Sequence, residues 1–200
     1  MKGNVNFDES ETIKNLARAF AGEVQDGARY QFLAQMAMQE GYNYFQSMCK
    51  TLAKNEMAHA KTLYQLITNN CTKSIKNIEI CAGYPFKCGS ILQEIKNSIE
   101  NEQSEADSVY IEFAKIAEDE GFSEVGKVFR EIASVENCHK MLLQQVYDKM
   151  KSNKLYKCTK ETKWKCSNCG FEHTSKQAWA ICPLCSMPQG YVEISIDTGA

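Results

Sequence analysis

The chain has 200 residues, 44% of them apolar, with 23 basic and 25 acidic side chains and a formal charge of -2. That length allows one ordinary domain, or a medium one with a small appendage, and the apolar share is enough for a core. The near-neutral balance and the lack of a dense lysine or arginine run leave no field for holding nucleic-acid phosphates. No apolar run nears the roughly 18 residues of a membrane span. Neither nucleic acid nor membrane is expected as a partner. No leader-like segment opens the sequence, so a cytoplasmic location is expected, where the ten cysteines should bind metal more readily than pair.

From about residue 10 to 150 the only proline is Pro85, and apolar residues recur at three and four, the helical period. Helices are expected near 10–40, 43–69, 89–119 and 122–150, with Gly41 and Gly121 ending the first and third. The looser "TNNCTKSIKNIEICAGYPFKCGS" joins the second to the third, a long crossover between two hairpins. After Met150 comes a polar, lysine-rich stretch, and then a segment with both tryptophans, two prolines and clustered cysteines. The expected division is 1–150 for a four-helix bundle, 151–162 for a linker and 163–200 for a small metal-binding domain. The two hairpins also resemble each other at an offset of 80 residues: Glu40-Gly41-Tyr42 falls on Glu120-Gly121-Phe122, Tyr30 on Tyr110, and Glu56 and His59 on Glu136 and His139. This pattern reads as an internal duplication.

Each apolar stripe carries ionisable groups at mid-length. In "FREIASVENCHK", Glu136 and His139 occupy the stripe marked by Phe129, Ile132, Leu143 and Val146. The second helix repeats this with Glu56 and His59, the first contributes Glu23, and the third contributes Glu102 and Glu105. An isolated carboxylate in an apolar core costs several kcal/mol. Five of them need compensating positive charge, and no lysine or arginine lies on these stripes. Metal cations remain, because a Glu from each of two helices plus an ExxH pair from each of the other two is the donor set of di-iron carboxylate bundles. One ExxH alone is more often a surface hydrogen bond; here two of only three histidines sit in duplicated ExxH motifs at the centre of apolar stripes. Tyr30 and Tyr110, seven and eight residues past Glu23 and Glu102, are core aromatics whose hydroxyls need partners that a ligand carboxylate can supply. The one-residue difference in those spacings predicts a π-bulge between 102 and 110.

In "WKCSNCGFEHTSKQAWAICPLCSMP", Cys166 with Cys169 and Cys182 with Cys185 form two CxxC knuckles, each able to give two thiolates to one tetrahedral ion. Spacing leaves zinc and iron open. So short a domain can scarcely fold on its own core, which favours a bound metal. Cys49 reads as core, while Cys71, Cys81, Cys88, Cys138 and Cys158 read as reduced thiols and His173 as exposed.

The pieces "AFAGEVQDGARY", "KNEMAHAK", "ENEQSE", "EGFSEVGKVFREIASVENCHK", "KWKCSNCGF" and "CPLCSMP" resemble the rubrerythrins, a ferritin-like di-iron bundle followed by a rubredoxin-like domain. The resemblance implies two non-haem irons in the bundle and one redox-active iron on the four cysteines. It also implies an activity, reduction of hydrogen peroxide to water in defence against oxidative stress, with electrons from an NAD(P)H-dependent reductase or a rubredoxin passing through the single iron. By the same resemblance Glu56 and Glu136 bridge the two irons, Glu23 is a terminal ligand of one, and Glu102 and His139 are terminal ligands of the other. Glu105 exchanges with His59 as one iron changes redox state, and the chains form head-to-tail homodimers. Ferric iron favours a carboxylate and ferrous iron tolerates imidazole, which gives that exchange a chemical basis. The crossover and the loop "FEHTSKQAWAI" depart from the family pattern. The competing readings are a ferroxidase or iron-storage bundle and a zinc-ribbon adaptor; Glu105 and the duplicated ligand set favour the peroxidase.

Overall fold

The computed structural model describes residues 5–73 and 77–197. The outermost residues of the two expected domains, and 74–76 of the crossover, lie outside the described residues. Two long antiparallel hairpins make the bundle. Helix α1 (Glu11–Gln39) pairs with α2 (Asn43–Asn70). The third rod is α3 (Ile91–Ser104), a π-helical turn (Glu105–Val109) and α4 (Tyr110–Glu120), and it pairs with α5 (Ser123–Lys151). Among the described residues no helix is long and apolar enough to cross a membrane.

Local chemistry sets the helix ends. Ser10 and Ser90 accept hydrogen bonds from the N–H groups of Ile13 and Gln93, the usual satisfaction of orphan donors at a helix start. Gly41 and Gly121 adopt φ of 80° and 95°, and Tyr42 and Phe122 return N–H bonds to Ala37 and Ala117, closing both rods with left-handed caps. The Glu120 carboxylate then accepts from the N–H groups of Glu11 and Thr12, so the end of α4 caps the start of α1.

The core is split along the bundle. One apolar cluster gathers Leu33, Phe45, Leu52, Ile95, Leu143 and Val146; the other gathers Leu16, Leu63, Tyr110, Ala114, Phe129 and Ile132. Between them lies the charged layer. The stripe from the fourth expected helix is buried throughout, Glu136 and His139 included.

The small domain holds a two-stranded antiparallel sheet, β1 (Lys157–Lys165) with β2 (Glu172–Gln177). The lysine-rich stretch expected as a linker is strand from Lys157 onward, a ribbon exposed or half-exposed at every residue but Trp164. Trp164, Ala178 and Val192 form the domain's own small cluster. Leu155 and Ile194 instead enter the bundle cluster around Phe45 and Leu143. At Gly190 a side chain's first carbon would lie 1.8 Å from the Gly41 carbonyl oxygen, so only glycine lets the small domain approach the α1–α2 turn this closely.

Candidate metal centres

The ExxH spacing puts Glu56 and His59 on one face of α2 and Glu136 and His139 on one face of α5. Packing turns these faces toward each other. His59 Nδ1 lies 3.1 Å from Glu56 Oε2, 3.0 Å from Glu136 Oε1 and 3.2 Å from Glu23 Oε2. His139 Nδ1 lies 3.0 Å from Glu56 Oε1, 2.8 Å from Glu136 Oε2 and 3.8 Å from Glu102 Oε2. Each of Glu56 and Glu136 thus gives one oxygen to each histidine, the geometry of a carboxylate spanning two ions. Two groups of mutually close ligand atoms result, one from Glu23, Glu56, His59 and Glu136 and one from Glu56, Glu102, Glu136 and His139.

These donor sets fit a pair of ions. Ligands about 2.1 Å from a first-row ion stand about 3 Å apart along a coordination edge, the separation found between each imidazole and its carboxylates except Glu102, at 3.8 Å. Glu56 Oε1, Glu102 Oε2, both Glu136 oxygens and His139 Nδ1 are buried yet make no hydrogen bond. Atoms about 3 Å apart that do not bond each other are aimed at a common point, and a cation there satisfies all of them at once.

The electrostatics agree. Burial raises Glu23 to about 8 and takes Glu102 and Glu105 well above the usual carboxylate range. For the histidines burial acts downward, but the surrounding carboxylates overcome it and push both His59 and His139 up to about 12. Glu136 is held at about 2, because its contacts with the two imidazoles outweigh its burial. Without metal, protons on the two imidazoles supply the positive charge that the apolar stripes lack.

The two tyrosines pair crosswise. Tyr30 on α1 donates its hydroxyl to Glu102 on α3, and Tyr110 on α4 donates to Glu23 on α1. The predicted π-bulge is present at 105–109, and its extra residue brings Tyr110 round to face Glu23. Glu105 stands outside both ligand groups. Its carboxyl lies against Asp26 and faces a cavity at the surface.

Three contributors were not legible in the sequence reading. Asp26, buried three residues after Glu23 on the same face of α1, is held by Arg29 and by the Asn101 amide at 2.9 Å; its spacing was the available signal. The Asn55 side chain lies 3.3 Å from His139 Nε2. The facing atom is the amide nitrogen; with Nδ1 turned to a metal, Nε2 would carry the proton, and the amide turned over would present its oxygen to it. His59 has no such partner on Nε2 among the described residues. The third contributor is the crossover, whose Tyr84 reaches the Glu105 side of the bundle.

In the small domain, Cys166 and Cys185 lie 3.7 Å apart, as do Cys169 and Cys182, and all four sulfurs lie within 4.8 Å of one another. Sulfurs 2.3 Å from a tetrahedral ion stand about 3.75 Å apart, so one ion fits. The Met187 N–H, aided by neighbouring donors, brings the Cys185 thiol down to about 6. Cys49 is buried, while Cys81, Cys88, Cys138 and His173 are exposed.

Comparison with known proteins extends this to the whole chain. The rubrerythrin family model matches residues 14–147 and 93–168, and that of the rubrerythrin rubredoxin-like domain matches 164–193. The rubrerythrin of Porphyromonas gingivalis is 35% identical over 191 residues, spanning 95% of this chain and 92% of its own. That of Clostridium perfringens is 34% identical over 190 residues, spanning 94% and 96%. A solved structure of mixed-valence nigerythrin shares the fold, with a TM-score of 0.61 at 23% identity over 98% of this chain and 96% of that one. The chain carries donor sets for two irons in a ferritin-like bundle and for one iron in a rubredoxin-like domain, and it belongs to the rubrerythrin family.

Proposed function

We propose that this protein is a peroxidase that reduces hydrogen peroxide to two waters. The reaction takes up two protons and two electrons and breaks the O–O bond; a pair of irons held by the bundle residues would supply the two electrons. In this reading Glu56 and Glu136 would help hold both irons, Glu23 one of them, and Glu102 and His139 the other. The four cysteines, Cys166, Cys169, Cys182 and Cys185, hold the iron that returns electrons one at a time.

The observation that carries the reading is the placement of Glu105. A ligand set for storage or oxidation of iron is complete without it, yet it is held just outside that set, beside Asp26, while His59 is inside. This is the arrangement suited to ferrous iron, with a spare carboxylate at hand for the ferric state. The Asn55 contact on His139, with none like it on His59 among the described residues, makes His59 the ligand freer to leave.

The electron route favours a head-to-tail homodimer. Gly41, where the small domain docks, lies just past the end of α1, whose last residue, Gln39, is about 24 Å from Glu23 along the helix at 1.5 Å per residue. A second copy running the other way brings its cysteine site alongside the ligand layer. The donor to that site is a cytoplasmic NAD(P)H-dependent reductase or a rubredoxin.

The test is anaerobic isolation from iron-sufficient cells, followed by reduction and addition of peroxide. A red protein whose bundle iron is reoxidised rapidly by hydrogen peroxide and slowly by oxygen supports the reading. Zinc on the cysteines, or a multi-subunit shell that accumulates iron, would overturn it.

A further inference from the structure

The crossover between the hairpins has no regular structure, yet it is fixed in place. Among the described residues, 81–89 make no backbone–backbone hydrogen bonds. The strap is pinned by side chains of the bundle instead. Arg18 donates to the Cys81 carbonyl at 3.2 Å, Arg29 to the Pro85 carbonyl at 3.1 Å, and the Tyr84 hydroxyl donates to the Arg18 carbonyl at 2.9 Å. At the far end Lys87 pairs with Glu100 at 3.0 Å. Within 81–90 only Tyr84 turns inward; every other residue is exposed.

Beneath the strap lies a cavity of about 440 Å³ that reaches Glu105 and Tyr110. A methyl group placed on Gly22 would lie 3.8 Å from Glu105 Oε1 and 3.8 Å from Tyr84 Cε1, in ordinary contact with both, so the space between ring and carboxylate beside Gly22 is at most one methyl wide.

We propose that Tyr84, held by the strap, makes this gap a size-selective entrance to the Glu105 side of the ligand layer, passing hydrogen peroxide and excluding bulky organic hydroperoxides. The proposal rests on the peroxide-reducing function above. Hydrogen peroxide has two heavy atoms and fits a gap of one methyl. A cumyl group fits the outer cavity but not the constriction. Selection therefore falls on Tyr84 and Gly22, neither of which offers a donor atom to either ligand group.

Two variants change the gap in opposite senses. Tyr84→Ala opens it, and Gly22→Ala, a change that favours helix, narrows it. Single-turnover reoxidation of the reduced protein by hydrogen peroxide and by cumene hydroperoxide gives a rate ratio. Tyr84→Ala should raise the cumene-to-hydrogen-peroxide ratio by about tenfold or more with the hydrogen peroxide rate within about twofold, whereas Gly22→Ala should slow hydrogen peroxide itself by about tenfold. A second readout needs no turnover: with cobalt(II) in the bundle, release to EDTA should quicken in Tyr84→Ala and slow in Gly22→Ala, with the cobalt spectrum unchanged. If the wild type is not reoxidised by any peroxide, the function fails and the hydroperoxide selection with it, and cobalt release then decides the entrance alone. If the rate ratio and cobalt release match wild type in both variants, the entrance lies elsewhere and the proposal is overturned.

Discussion

Tyr110→Phe is a selective probe of the ligand layer because it removes one atom. The ring stacks on Phe129 at 5.9 Å and meets Phe113 edge-on at 6.4 Å, contacts that phenylalanine keeps. What is lost is the hydroxyl that donates to Glu23, where both residues are at most 3% exposed. In the metal-free protein Glu23, raised to about 8, is largely protonated at neutral pH, and a neutral hydrogen bond contributes about 1 kcal/mol. With metal bound the carboxylate is ionised, and the same bond contributes about 1.5–3 kcal/mol. The difference, about 0.5–2 kcal/mol, is a loss of about two- to thirtyfold in metal affinity. Glu23 belongs only to the group with His59, so only one of the two ions should weaken. Tyr30→Phe, acting through Glu102, should weaken the other. Two-step cobalt(II) titration against a competing chelator resolves the two ions, and thermal unfolding of the apoprotein reports the smaller change. Equal weakening of both ions by either variant, or wild-type affinity in both, would refute the crosswise pairing as the means of tuning the site.

The apoprotein should be most stable in mild acid. As pH rises from 4.5 toward 8, the unfolded chain ionises Glu23 while the folded chain does not. From 6.5 toward 12 the folded chain keeps the protons on His59 and His139 that the unfolded chain loses, so stability falls in both windows. Glu136 acts oppositely, its stabilisation present above 4.5 and lost as pH falls toward 2. Melting temperature against pH for apo and cobalt-loaded protein checks this; a metal-free curve that climbs from pH 6 to 9 would contradict it. Asn55→Ala should weaken the ion on the His139 side by about tenfold and leave the His59 side unchanged in the same cobalt titration. Asn55→Asp, which keeps an acceptor for the Nε2 proton, should restore it.

Much of the fold was readable because helices write their faces into local spacing. All four expected rods are present within two residues of their anticipated ends, since Gly41 and Gly121 mark caps that only a positive φ satisfies. The interruption between 102 and 110 was readable too, because a duplicated pattern with one residue too many must absorb it somewhere. The small domain's start was less so. β1 begins inside an evenly polar stretch, which gives a half-exposed ribbon no alternation to reveal it.

Spacing along the chain by itself determined the inventory: which carboxylates and imidazoles share a face, which cysteines can close on one ion, and where the third rod must bulge. It could not determine what each group meets across the bundle, because those contacts join residues 72 to 87 positions apart, set by how two hairpins pack rather than by any local period. Tertiary structure alone decided that Tyr30 meets Glu102 while Tyr110 meets Glu23, that Asn55 lies against His139, and that Glu105 lies beside Asp26 outside the ligand groups. It also folded an irregular crossover, whose composition carries no periodic signal, down over that glutamate.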